Sequence, residues 1–207
     1  MRRLIGGLGL MVLCLCTARV LAGGDCCEKM AKAGEGWCDT CKHGQFYGIS
    51  VAARKLYDAL AGVSAKDSGM DKCPGCAKAM KDGGTCEHCH VSFVNGKMYT
   101  SSYAYALAVG KPATDDKIAA MVEHCETCNK ASKSADGGYC SECKGGFVSG
   151  RYYQGKTAYD AAVNAHKVVS KAASASEKCP DCGAAIVKDG KCEHCNVAYK
   201  NGEATKG

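Results

Sequence analysis

The chain has 207 residues, including 27 lysines and arginines, 21 aspartates and glutamates, and 18 cysteines. Only 3 phenylalanines and 1 tryptophan are present, which is little aromatic surface for one large hydrophobic core. We therefore expect several small units, each stabilised by its cysteines, instead of one packed body.

The first residues have the three parts of a secretory signal peptide. A positive start at Met1–Arg3 precedes an apolar run at Leu4–Cys16, and small or apolar residues precede a cleavage site after Ala22. A membrane anchor is the alternative, but the run is short and contains several glycines. We expect a secreted or periplasmic protein that has no stable membrane anchor after cleavage.

Removal of the signal peptide, residues 1–22, would change both the net charge and the cysteine count. The mature chain 23–207 would keep 16 cysteines, and its formal net charge would fall from +6 to +3. Four Zn²⁺ sites with four thiolates each would bring the total to about −5. We therefore expect no binding to nucleic acid.

Most cysteines occur in C-x-x-C pairs. The seven pairs are Cys38/Cys41, Cys73/Cys76, Cys86/Cys89, Cys125/Cys128, Cys140/Cys143, Cys179/Cys182 and Cys192/Cys195. Together with the adjacent Cys26-Cys27, these pairs group in twos and define four units. The units are the irregular first unit 23–70, the second unit 71–122, the third unit 123–176 and the truncated fourth unit 177–207.

Other residues recur at fixed distances from the last cysteine of a unit. An aromatic residue stands four positions after Cys89, Cys143 and Cys195, and a glycine stands three positions further on. A tyrosine stands sixteen positions after the last cysteine of the first three units, at Tyr57, Tyr105 and Tyr159. Such matched spacings indicate a tandem array of repeats, and the tyrosines are expected to pack in its cores.

In chain order, the first predicted element is a short helix that is capped by Ser50, carries Leu56 and ends near Gly62. A linker is expected near 66–71. In the second unit, Asn95-Gly96 between two short apolar runs is typical of a β-hairpin with a two-residue turn.

Further helices are predicted after this hairpin. One carries Leu107 and ends at Gly110, and another opens at Thr114–Asp116 and reaches His124, after a linker at 111–114. A longer helix is predicted from the apolar spacing between Ala158 and Val169, followed by a linker at 172–177.

The cysteine spacing is typical of metal ligands. In the second, third and fourth units the second pair begins ten, twelve and ten positions after the first pair ends, which is the length of a β-hairpin between two knuckles. Two pairs can then supply the four thiolates of a tetrahedral Zn²⁺ site, and Fe²⁺ fits the same ligands. The predicted ligands are Cys26, Cys27, Cys38, Cys41, Cys73, Cys76, Cys86, Cys89, Cys125, Cys128, Cys140, Cys143, Cys179, Cys182, Cys192 and Cys195.

The motif Cys179-Pro180-Asp181-Cys182, followed by Cys192-Glu193-His194-Cys195, resembles the zinc-ribbon superfamily. The resemblance implies small metal-stabilised α+β modules, each with a knuckle, a β-hairpin, a short helix and a structural Cys₄ zinc site. It names no single function. We expect removal of the metal to unfold at least the second, third and fourth units.

The first unit departs from this pattern because Cys26 and Cys27 are adjacent. Adjacent cysteines bind one metal only with a distorted backbone, and His43 is a substitute ligand. His88 and His194 occupy the same place in two knuckles, where they are either solvated loop residues or ligands of a further metal.

Three other interpretations of the cysteines remain open. Export favours disulfides, which could cross between the knuckles of one unit. The C-P-x-C motifs at Cys73–Cys76 and Cys179–Cys182 resemble those of thiol–disulfide oxidoreductases. The single C-x-x-C-H motif, Cys86 and Cys89 followed by His90, fits attachment of a c-type haem.

No arrangement of a nucleophile and a base stands out. The sequence therefore predicts an exported, non-enzymatic zinc protein. It would act as a structural or protein-interaction module with an unidentified protein partner, or as a metal buffer.

Overall fold

The computed structural model describes Met30 and residues 33–205. The predicted signal peptide and Cys26-Cys27 lie outside the described residues. No helix in the part that is described is both long enough and apolar enough to cross a membrane.

The described residues form a small α+β structure with four antiparallel sheets. The strands are β1 (Glu35–Cys38), β2 (His43–Phe46), β3 (Ile49–Val51), β4 (Val63–Ser64), β5 (Gly84–Cys86), β6 (Val91–Val94), β7 (Lys97–Tyr99), β8 (Lys111–Pro112), β9 (Gly138–Cys140), β10 (Gly145–Val148), β11 (Arg151–Gln154), β12 (Lys191–Cys192), β13 (Val197–Lys200) and β14 (Glu203–Thr205). Their orders are β1-β2-β3, β4-β7-β6-β5, β8-β11-β10-β9 and β12-β13-β14.

Helices connect and cover these sheets. They are α1 (Arg54–Leu60), α2 (Pro74–Asp82), α3 (Ser102–Ala108), α4 (Asp116–His124), α5 (Glu126–Lys133), α6 (Lys156–Lys178) and α7 (Pro180–Val187), with a 3₁₀ turn at Met70–Lys72. The helices predicted over Leu56, over Leu107, up to His124 and from Ala158 to Val169 are confirmed.

One hairpin of each sheet turns through two residues that both have positive φ. The turns are Tyr47-Gly48, Asn95-Gly96, Ser149-Gly150 and Asn201-Gly202. This is the geometry of a type I′ turn, whose twist matches that of the flanking strands. The hairpin predicted around Asn95-Gly96 is confirmed, with Val94 paired to Lys97.

Two local predictions are wrong. Ser50 lies in β3 and does not cap the first helix, whose N-cap is Ala53. The linker predicted at 172–177 is helical, because α6 continues to Lys178.

Small side chains explain why this segment is a helix. A Cβ at Gly183 of α7 would lie 2.6 Å from the Ser176 Cβ and 2.8 Å from the Ala172 carbonyl oxygen. The two helices therefore approach almost backbone to backbone, and the alanines and serines that resemble a linker form a packing surface.

The four units share one hydrophobic core, so the prediction of separate small bodies is wrong. Side chains from every unit are at most 1 % exposed in this core: Phe46, Leu56 and Leu60 from the first unit, Leu107 from the second, Val169 from the third, and Ile186 and Val187 from the fourth. Tyr57 and Tyr105 pack against the same core. Smaller apolar clusters surround the cysteines of the second, third and fourth units.

Polar contacts also join the units. Glu35 of the first unit forms an ion pair with Lys97 of the second, and the Tyr47 and Tyr99 hydroxyl oxygens lie 3.1 Å apart. The Arg151 guanidinium of the third unit stacks 4.6 Å from the centre of the Tyr47 ring. The first unit therefore contacts both of the following units.

Candidate metal centres

Twelve of the predicted ligands meet in three groups of four thiols. Within each group all sulfur atoms lie within 4.8 Å of one another. The second cluster is Cys73, Cys76, Cys86 and Cys89; the third cluster is Cys125, Cys128, Cys140 and Cys143; the fourth cluster is Cys179, Cys182, Cys192 and Cys195. Each cluster carries the number of its unit.

The first pair of each cluster begins a helix. Cys73, Cys125 and Cys179 are the N-caps of α2, α5 and α7, and the second cysteine of the pair lies in the first turn. Proline stands at the first helical position in α2 and α7, where its missing N–H costs nothing. The hairpin predicted between the two pairs is therefore wrong, because a helix followed by one strand fills this interval.

The second pair lies in a tight turn at the end of a strand. The Cys143 N–H points at the Cys140 sulfur (3.5 Å), and the Cys195 N–H points at the Cys192 sulfur (3.4 Å). The residue after the last cysteine has a left-handed backbone in every unit: Lys42, His90, Lys144 and Asn196, with φ between 50° and 53°. In each cluster the N-terminus of a helix therefore faces the end of a strand, and each of the two supplies one pair of thiols.

The sulfur spacing fits a tetrahedral metal site. The first sulfur of the helix pair lies 3.9, 3.7 and 3.8 Å from the first sulfur of the strand pair in the second, third and fourth clusters. Zn–S bonds of about 2.3 Å give a tetrahedron whose S···S edge is about 3.8 Å. Disulfide bonds need about 2.05 Å between sulfurs, so these positions fit metal thiolates better than cross-knuckle disulfides.

The first thiol of each cluster has a lowered pKa. Backbone N–H groups of the first helical turn, chiefly that of Cys76, lower the pKa of Cys73 to about 6. The equivalent N–H of Cys182 lowers the pKa of Cys179 to about 6, and that of Cys128 lowers the pKa of Cys125. A helix N-terminus favours a thiolate in the same way.

The second cysteine of the helix pair behaves in the opposite way. Burial raises the pKa of Cys76 and of Cys128, so a lone thiolate is unfavourable there. A cation at the centre of the cluster would supply the missing counter-charge and displace these protons.

The fourth cluster has two polar neighbours. The sequence did not indicate that Tyr199 would contact a thiol, and it left His194 as either a solvated loop residue or a ligand of a further metal. The Tyr199 hydroxyl hydrogen-bonds the Cys182 sulfur, which by itself lowers the pKa of that thiol. Burial and the hydrogen bonds with Cys192 and Cys179 outweigh this effect, so that the pKa of Cys182 is raised above its usual value. Phe93 and Phe147 stand at the equivalent positions, so tyrosine in place of phenylalanine was the available signal. The second neighbour, His194, has a ring nitrogen 3.5 Å from the Cys195 sulfur.

The first unit contributes only its second pair to the described residues. Cys38 ends β1, and the Cys41 N–H lies 3.4 Å from the Cys38 sulfur, as in the third and fourth units. His43, the predicted substitute ligand, hydrogen-bonds the side chains of Gln45 and Ser50. A metal at Cys26, Cys27, Cys38 and Cys41 therefore stays a prediction.

The haem motif is part of the second cluster. Cys86 is 2 % exposed and faces Cys73, while His90 is the left-handed residue after Cys89. The two cysteines that would bond a haem, Cys86 and Cys89, thus lie in one group with the thiols of Cys73 and Cys76.

No known protein family, curated protein or solved structure matches the chain. The interpretation of the clusters therefore depends on the geometry of this chain's own residues.

Proposed function

We propose that the protein is an exported, non-enzymatic repeat protein that binds one Zn²⁺ in each four-cysteine cluster. The observation that supports this most strongly is that four sulfur atoms lie within 4.8 Å of one another in each of three clusters, with one S···S distance of 3.7–3.9 Å in each. A fourth Zn²⁺ in the first unit, held by Cys26, Cys27, Cys38 and Cys41, belongs to the same proposal. Fe²⁺ would fit the same sulfur ligands and would colour the protein.

The metal would have a structural role. Each cluster joins a helix N-terminus to the end of a strand, and most of its cysteines are buried or half-buried. Structural Zn²⁺ in sites of this kind contributes about 10–16 kcal/mol of binding free energy to folding. The loops held by the metals would then either present a surface to a protein partner or act as a metal buffer.

Native mass spectrometry of the full chain, with and without a chelator under reducing conditions, tests the proposal. We expect one divalent metal for each of the three described clusters and a further one for the first unit, all lost on chelation. A Cys128→Ala variant should lose one metal. A metal-free native protein with its thiols oxidised in pairs would contradict the proposal.

A thiol–disulfide oxidoreductase is the second candidate. Cys73 and Cys179 favour it, because each is a low-pKa thiol at a helix N-terminus in a C-P-x-C motif. Against it, each thiol faces two further cysteines that would compete for the same chemistry. An insulin-reduction assay separates the two functions, since the metal-loaded protein should show no turnover.

A further inference from the structure

His194 lies beside the fourth cluster in the position of a fifth donor. Its Nδ1 atom is 3.5 Å from the Cys195 sulfur and 3.7 Å from the Cys179 sulfur. Zn–N bonds of about 2.0–2.1 Å and Zn–S bonds of about 2.3 Å give N···S edges of about 3.5 Å in a tetrahedron. The ring nitrogen is thus at a ligand's distance from two of the four thiols.

Cys195 is the most accessible thiol of this cluster. It is exposed, whereas Cys179, Cys182 and Cys192 are buried. The equivalent cysteines of the second and third clusters, Cys89 and Cys143, are half-buried. The thiol that contacts solvent is therefore also the one next to the imidazole.

The other clusters lack this arrangement. His88 occupies the equivalent place in the second cluster but forms no hydrogen bond with a thiol among the residues that the structure describes. In the third cluster the equivalent residue is Glu142. The chain therefore contains its own controls.

We propose that His194 is a reserve ligand of the fourth cluster. The inference rests on the proposed function, because it requires a metal in that cluster. When Cys195 does not bind, the metal–sulfur bond is replaced by a bond from the His194 lone pair, and the released thiolate takes a proton from solvent. The metal keeps four donors and its oxidation state, as a Cys₃His site, which is a common zinc ligand set.

Cobalt binding to the full chain tests this, with Co²⁺ alone as the probe and native mass spectrometry as the count. We expect Cys195→Ala to bind as many Co²⁺ ions as the wild type. Its d–d absorption bands should shift to shorter wavelength, because nitrogen is a stronger-field ligand than thiolate. His194→Ala should also keep the wild-type count, since all four thiols remain.

Two variants should each lose one Co²⁺. They are the double variant Cys195→Ala/His194→Ala and the control Cys143→Ala, whose cysteine pair carries Glu142 where the fourth cluster carries His194. Loss of one ion from Cys195→Ala, or a full count in Cys143→Ala, would overturn the inference. A wild-type chain without any bound Co²⁺ would instead refute the proposed function, and the inference with it.

Discussion

The residue after the last cysteine of each unit has a conformation that most side chains avoid. His90, Lys144 and Asn196 have φ values of 53°, 51° and 52°. Asparagine and histidine tolerate the left-handed region better than lysine. Because the same conformation recurs with different residues, the turn around the sulfurs dictates it, and the residue type does not.

Among the histidines, His166 of α6 is half-buried, and its Nε2 atom lies 2.8 Å from the Ser149 hydroxyl oxygen. Burial lowers the pKa of its imidazole below the usual value of 6.5. As the pH falls through 6.5, the unfolded chain therefore takes up a proton before the folded chain, and the free energy of unfolding decreases.

We expect His166→Gln to remove this part of the pH dependence. Urea unfolding between about pH 7.5 and about pH 5 should show the wild type losing more stability than the variant. Acid also protonates the cluster thiols, but equally in both proteins, so the difference between them reports His166. Parallel stability curves would contradict the assignment.

At the scale of elements, α6 and α7 pack closely because the residues at their contact have small side chains. Gly183 has the Ala172 carbonyl and Ser176 directly above it. Gly183 also follows Cys182, so this contact places the helix start of the fourth cluster against the longest helix of the described part.

Gly183→Ala should destabilise the protein by about 1–3 kcal/mol, because the added methyl group overpacks the helix contact. Gly190→Ala is a matched control in the same unit, since a Cβ there meets no atom closer than 3.9 Å. Chemical denaturation measures both. Equal effects of the two substitutions would show that the close approach is not energetically important.

At the scale of the whole molecule, all four units contribute side chains to one core. Ala165 and Val169 of α6 are fully buried in this core and stand ten or more positions from any cysteine in the sequence. The sequence alone predicts that the metal-free second, third and fourth units unfold. Because α6 packs in the shared core, we expect it to stay folded after the clusters have lost their metals.

Chelation under reducing conditions should therefore act unevenly. We expect amides of α2 and α5, which carry cluster cysteines, to lose hydrogen-exchange protection first, and those of α6 around Ala165 to remain protected longest. Hydrogen exchange followed by mass spectrometry measures this order. Simultaneous loss in all helices would show that the core depends on the metals, and unchanged exchange would show that the metals stabilise nothing.

The sequence by itself determined the features that are local along the chain. The cysteine groups of the second, third and fourth units, the Asn95-Gly96 hairpin and four helices follow from spacing and turn chemistry, since those residues are close together along the chain. The helices that begin after Cys73 and Cys179 could also have been predicted from the sequence, because Pro74 and Pro180 are typical of a first helical position.

Only the tertiary structure decided which distant residues meet. The shared core joins Leu56, Leu107 and Val187, which are about fifty or more positions apart and carry no periodic mark that relates them. The positions of His194 and Tyr199 against the thiols depend likewise on how the fourth unit's strands pack on α7. Spacing along the chain specifies a metal ligand, whereas its neighbours are specified by packing in three dimensions.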